Sequence, residues 1–406
     1  MQLIEKTKPV QHITGGCSEK YLDPGQKLQL MMDDTQDWES IWEQFAGNSR
    51  CVRSSSPSRE YISGRTVLIT GAGGSIGSAL ARFATTCNPE NLILLESNEN
   101  SLHAFEQSFD SSSDVTHVPV LGNICDSALL SEIFALYQPQ IILHAAACKH
   151  VPLMELNPLA AASTNVLGTY ALLQAASHYR ATQFIMVSTD KAVLPVSMMG
   201  ATKRLAELLL FAHPDKALQR KAVRLGNVLG SSGSVGPIFL KQIMAGGPVT
   251  VSHPDARRFF LTLSHTIVLL INALSPAYET GILIPDLGPA RMVEEVARYL
   301  IAATAREHHG IEIIFTGLRP GDKLEELLSS SYESAIARHN GLFSTVQPEE
   351  LFAKNLNAIV DQITLSVQRR DLRLLLESIC KAVPEYRPSH ILQKFSEDKS
   401  QIELWK

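Results

Sequence analysis

The 406-residue chain has no apolar run approaching the ~18 residues that a membrane-spanning helix requires. Its first residues, MQLIEKTKPVQ, lack the hydrophobic core of a secretory signal, so a cytoplasmic location is expected. Cysteine is scarce. The six present (Cys17, Cys51, Cys87, Cys125, Cys148 and Cys380) show neither metal-ligand spacing nor a disulfide framework, so free thiols and no metal are expected. Charge of one sign is not in excess: 36 Lys and Arg against 41 Asp and Glu give −5, which argues against a nucleic-acid footprint or a basic membrane patch. Internal repeats are missing too. What remains is the 45% hydrophobic, 19% charged composition of an ordinary globular protein, long enough for one large domain or two.

The stretch TVLITGAGGSIGSALARFATTCNPENLILLE, residues 66–96, organises the rest. It reads as strand, glycine turn, helix over 75–87, second strand over 92–95 and terminal acid. Glycines at such a turn let the backbone approach a pyrophosphate at the helix N-terminus. The expected cofactor contacts are Gly71, Gly73, Gly74, Ser75, Ile76 and Gly77. Glu96, about 20 residues past the turn, is placed to bond both ribose hydroxyls of an adenosine. Ser97 and Asn98 follow it, with no Arg or Lys to take a 2′-phosphate, which favours NAD over NADP. The competing reading is a plain strand-to-helix turn.

Further strands are expected over 116–121, 141–144, 184–188, 221–227 and 311–316, with helices such as 129–137, 159–179 and 199–211 between them. This alternation predicts an α/β fold, a Rossmann doubly wound parallel sheet, with a smaller C-terminal substrate-binding cap. The division expected is 1–60, an arm and serine-rich linker with a short amphipathic helix over 38–45; 61–229, the NAD-binding domain; 230–340, mainly cap with a returning strand near 311–316; and 341–406, a helical extension. The arm is assigned no chemistry. Ligands of such sheets sit at the carboxyl ends of the strands, here Gly71, Glu96, Gly122, Ala145, Ser188 and Asn227. Ala145, Ala146 and Ala147 are small enough for a cofactor to lie against the backbone. Lys149 and His150 follow; they face a phosphate or a sugar, or stand in a solvated loop. Asp190–Lys191 is either an acid–base pair or a surface ion pair.

Seven segments recur in one order: TGAGGSIGSAL, HAAACKHVPLME, NPLAAASTNVLGTY, STDKAVLPVSMMGATKR, VRLGNVLGSSGSV, DARRFFLTL and GLRPGDKLEELL. Together, over roughly 60–330, they resemble the UDP-N-acetylglucosamine 4,6-dehydratases of bacterial polysaccharide synthesis, an extended short-chain dehydrogenase family. VPEYRPS at 383–389 looks familial too. Short-chain dehydrogenases carry Tyr-x-x-x-Lys where this chain has Met199 and Lys203. The large, membrane-anchored members of the dehydratase family carry Met in the same setting, and the chain resembles that subgroup without its membrane helices and extra nucleotide-binding domain.

The resemblance implies bound NAD and a UDP-N-acetylhexosamine substrate. It gives Lys191 the role of base at C5, Asp190 that of acid at the C6 hydroxyl, Thr189 the orientation of the C4 hydroxyl, and Lys203 the nicotinamide ribose. Met199 cannot titrate, so Asp190 is the first candidate for the C4 hydroxyl proton and Lys191 the second. Asn123 and Ile124 fall by the adenine; Asn123 stands where the family usually has Asp. Cys148 and Asp322 are further departures. Asn227 falls near the diphosphate, Arg258 and Arg319 offer forks to phosphate oxygens, Val235 packs by the uracil and Glu326 bonds the ribose. A solvated cap surface is the other reading of Arg258. The subgroup favours retention at C5, and the family's habit implies a homo-oligomer. Two other readings stand beside dehydration: a UDP-sugar epimerase sharing the C4 oxidation, and a silent dinucleotide-binding sensor fed by Met199.

Overall fold

A computed structural model describes residues 38–46, 57–108, 115–304, 310–331, 333–339, 343–348 and 356–397. Cys17, Cys51 and the serines at 54–56 fall outside these. The central strands are β1 Thr66–Thr70, β2 Asn91–Glu96, β3 Thr116–Leu121, β4 Ile141–His144, β5 Gln183–Thr189, β6 Gln219–Leu225 and β7 Gly281–Pro285. They pair in parallel in the order β3-β2-β1-β4-β5-β6-β7. β8 Glu333–His339 and β9 Phe343–Pro348 form a hairpin that joins antiparallel beyond β7. β1 and β4 are buried end to end, as strands covered on both faces by helices must be, which is why they read as unbroken apolar runs. One apolar cluster lies on each face of the sheet, and a third joins helix Met198–Ala212 to helices Leu356–Arg369 and Leu372–Ala382. Strand order reverses between β1 and β4, and the crevice opens there.

Two expectations are corrected. The strand returning to the sheet is Gly281–Pro285, not 311–316. Ile313–Phe315 pairs instead with Val249–Val251 in the cap, where Ile314 and Phe315 stay more than 40% exposed. Both faces of β7 are covered, and GILIP supplies the apolar side chains that this needs. The sixth strand stops at Leu225 rather than 227. Phe259 O lies 2.4 Å from where a Gly226 Cβ would stand, so the chain turns there and Asn227–Val228 pairs with Phe260–Leu261. After 340, β9 comes first, then three helices ending with His390–Glu397, so the described part of this region is mostly helical. Within 159–179 the helix is broken by a π segment, Ala162–Gly168, a form that concentrates at functional sites. No helix among the described residues is long and apolar enough to cross a membrane.

Candidate active site

A cleft of about 630 Å³ runs along the carboxyl ends of β1, β2, β4 and β5. At one end is the glycine turn. Gly71 has φ +68°, and a Cβ there would meet Ala146 Cα at 2.8 Å. A Cβ on Gly77 would stand 2.0 Å from Gly71 O. The turn therefore closes only with glycine, and it aims the first turn of helix Ser75–Thr85 into the cleft. Gly77→Ala is expected to strain the turn by ~3 kcal/mol, about a hundredfold in NAD affinity. Calorimetric titration of the folded variant checks this, and unchanged affinity would contradict the assignment.

Glu96 has two jobs. Oε2 accepts the Gly73 N–H at 3.0 Å, and Oε1 accepts the Ser97 and Asn98 N–H groups at 2.9 and 3.0 Å. It ties the glycine turn to the end of β2 while lining the cleft. Asn123 also lines it; its Oδ1 accepts the Cys125 N–H at 2.9 Å. Ile124, Ala145, Ala146 and Ala147 complete this wall. Glycine turn, helix N-terminus, distal acid and alanine wall fit a dinucleotide.

At the other end stand Thr189, Lys191, Met199 and Lys203. Asp190 lies beneath them, wholly buried. Its Oδ1 accepts the Thr189 hydroxyl at 3.0 Å and the Lys191 ammonium at 2.8 Å. Lys191 Nζ also donates to Asn227 Oδ1 at 3.0 Å. Asp190 Oδ2 is buried and has no hydrogen-bond partner among the described residues. Helix Met198–Ala212 approaches closely because a Gly200 Cβ would stand 2.3 Å from Lys191 O; the glycine lets Met199 and Lys203 lie beside Lys191. The Ser197 hydroxyl and the buried Glu155 carboxylate accept N–H groups of that helix's first turn. Lys203 is 4% exposed; burial draws its ammonium down to about 8, against the upward pull of Glu207 one turn on. His144 stays neutral: burial, then the Lys203 charge, brings it to about 3.

The Gly/Ser loop crosses over. Ser232 N–H donates to Ser75 Oγ at 2.9 Å, and Lys149 Nζ donates to Ser232 O at 2.7 Å. His150 lies under Gly233, and both line the cleft with Asn227. Val235 is adjacent, opening helix Val235–Met244. Arg258, Arg319 and Glu326 are not brought to the cleft. The Arg258 guanidinium is spent on the carbonyls of Arg257, Leu324 and Lys323 at 2.7–3.1 Å. Glu326 is 4% exposed and pairs with Lys323 at 3.2 Å, while Arg319 pairs outside with Asp322 at 2.9 Å. Sequence reasoning missed Asn165. Its amide clamps the Cys148 N–H and carbonyl at 2.8 and 3.1 Å and reaches Thr202 at 3.1 Å. The only signal was its place in NPLAAASTNVLGTY.

Residues 67–348 match the family model described as "Polysaccharide biosynthesis protein". The chain belongs to that family. It is 40% identical over 279 residues to the capsular polysaccharide biosynthesis protein CapD of Staphylococcus aureus, covering 68% of this chain and 46% of CapD, so it spans about half the length of that relative. It is 33% identical over 281 residues to a UDP-glucose 4-epimerase of Rickettsia massiliae, covering 67% of this chain and 80% of the epimerase. Among solved structures, DesIV of Streptomyces venezuelae, a dTDP-glucose 4,6-dehydratase with NAD and TYD bound, aligns with TM-score 0.58 at 22% identity, over 72% of this chain and 96% of DesIV. The doubly wound sheet is thus the fold of known nucleotide-sugar enzymes.

Proposed function

We propose that this chain is an NAD-dependent hydro-lyase acting on a UDP-N-acetylhexosamine, first of all UDP-N-acetylglucosamine, and forming a UDP-4-keto-6-deoxy sugar. The observation that carries the reading is the Thr189–Asp190–Lys191 cluster at the end of β5, beside Lys203 and opposite the glycine turn. A C4 epimerase needs a path for one hydroxyl proton; an acid and a base side by side meet the further need of removing water across C5–C6.

The glycine turn, Ser75 and Glu96 would hold NAD, which would supply a hydride acceptor for C4 and a donor for C6, so no outside reductant would be consumed. The Thr189 hydroxyl faces the cleft and donates to Asp190; the C4 hydroxyl proton passes by it to the buried carboxylate. A ketone at C4 makes the C5 proton acidic. Lys191 is the base that takes that proton. Asp190 returns its proton through the Thr189 hydroxyl to the departing C6 hydroxyl, which leaves as water. Lys191 returns its proton to C5 as C6 is reduced, and both side chains end as they began. Lys203 would hold the nicotinamide ribose, and Met199 fills the tyrosine's place without proton chemistry. Lys149, His150, Asn227 and the Gly/Ser loop enclose the diphosphate and sugar. Arg258 and Glu326 hold the cap together behind them.

Incubation with UDP-N-acetylglucosamine in D2O, followed by mass and proton NMR, tests this. The expected product has lost one water and carries deuterium at C5, with couplings showing retention. The relation to the Rickettsia massiliae epimerase favours a second reading, which an isomer of unchanged composition would establish. Recovered substrate without exchange would overturn both for this sugar.

A further inference from the structure

Helix Trp38–Ala46 precedes the family match at 67–348, yet it is built into the cap. Trp42 and Phe45 are each 2% exposed. Phe45 meets Phe260 edge-on at 5.7 Å and Tyr299 at 5.3 Å, with the Arg291 guanidinium 4.0 Å over its ring. Glu39 and Glu43 accept the Ser264 N–H and hydroxyl at 3.0 and 3.1 Å, and the Tyr299 hydroxyl donates to Ile41 O at 3.2 Å. These contacts fix where Trp42 stands. A Cβ on Gly230 would lie 3.0 Å from the Trp42 Nε1, and one on Gly236 2.8 Å from its Cη2. The two glycines flank the loop whose Ser231, Gly233 and Ser234 line the cleft. From the cleft side the same loop is held by Ser75 and Lys149 through Ser232.

We infer that Trp42 is a positioning residue for the sugar-nucleotide site: its indole wedges the 230–236 loop closed from behind, against the glycine turn and Lys149. The inference rests on the reading that a UDP-sugar occupies the cleft. Residues 231–234 are three serines and a glycine, with no apolar side chain of their own to bury. Remove the indole and the loop keeps the His150 ring under Gly233, the Ser231 hydroxyl bond to Val228 O and the bonds through Ser232, but loses the wedge behind it, which lowers its local stability. Asp190 and Lys191 sit on the turn that follows β5, whereas the indole meets the chain at Gly230 and Gly236. The deficit therefore falls on substrate binding rather than on chemistry.

Trp42→Ala is expected to raise KM for the UDP-sugar, and the Kd for UDP alone, at least tenfold, with kcat within a factor of about three. Trp42→Phe should restore most of the loss. Amide exchange at 230–236 should quicken at least tenfold in Trp42→Ala while β1 and β4 amides keep their rates. Should Trp42→Ala fail to fold, Ser264→Ala, which loosens the helix from outside, must raise KM and quicken loop exchange. Unchanged loop exchange, or faster exchange with unchanged UDP affinity, overturns the proposal. A wild-type chain that binds no UDP, together with faster loop exchange in Trp42→Ala, supports the wedge and overturns the UDP-sugar reading.

Discussion

Asp190→Asn is expected to lower kcat by about 10³-fold while NAD still binds at its normal affinity. The amide matches the carboxylate in shape and can still accept from Thr189 and Lys191 at Oδ1. It cannot carry the proton from the C4 hydroxyl to the leaving C6 hydroxyl. The loss should appear in both steps: no ketone in single turnover, and no deuterium at C5. Lys191→Ala separates them. Without the amine, C4 oxidation should survive as slow transient absorbance of reduced nicotinamide, while elimination stops. A variant Asp190→Asn with more than a tenth of normal turnover would remove Asp190 from the proton path and leave Lys191 as its carrier. A dead Asp190→Asn enzyme with lost NAD affinity would instead mean a structural role, since the buried aspartate does not line the cleft directly.

The parts of this site that were legible were local in the chain. TVLITG followed by glycines announces its turn because a strand, a close backbone approach and a helix start each demand particular residue types within a dozen positions. Thr189, Asp190, Lys191 and Lys203 stand at a strand end and on a helix that the alternating pattern places, while their roles are what the family resemblance implies. What was illegible depends on partners far apart. Arg258 looked like a phosphate fork; only the fold shows its guanidinium given to carbonyls of 323 and 324. Residues 281–285 give no strand signal of their own, because five apolar residues after a proline-containing turn carry no period, and sheet position is settled by what covers them. The helix at 38–46 was visible as amphipathic, but its apolar face carries no mark saying that Gly230 and Gly236 receive it.

The same limit hid a charge cluster behind the site, and it carries the second large expected effect. Arg204, Glu207, Arg224, Glu333 and Glu385 are spread over 181 residues, yet their side chains meet with none more than 4% exposed. Glu207 accepts Arg224 at 2.7 and 3.0 Å, Arg204 at 3.1 Å and the Ser188 hydroxyl at 2.6 Å. Burial pushes its carboxyl upward, but the two guanidiniums and Ser188 outweigh this and hold it below its ordinary 4.5. Glu333 then bridges both arginines from the edge hairpin, and Glu385 reaches Arg204 from VPEYRPS. Removing one partner strands a buried charge, so Glu207→Gln should cost about 3–5 kcal/mol of unfolding free energy. Denaturant titration reads it, and a loss below about 1 kcal/mol would show that the arginines re-pair without Glu207. Because the folded carboxyl lies low, its contribution is complete above pH 4.5 and fades as pH falls through the folded value. Wild type should therefore lose stability steeply in acid, and Glu207→Gln less so. Ser188 precedes the Thr189–Asp190–Lys191 cluster on β5, so the network fixes the strand end on which the proposed chemistry stands. The segment between helices Leu372–Ala382 and His390–Glu397 thereby holds the proposed proton-transfer residues in register through Glu385, Arg204 and Glu207.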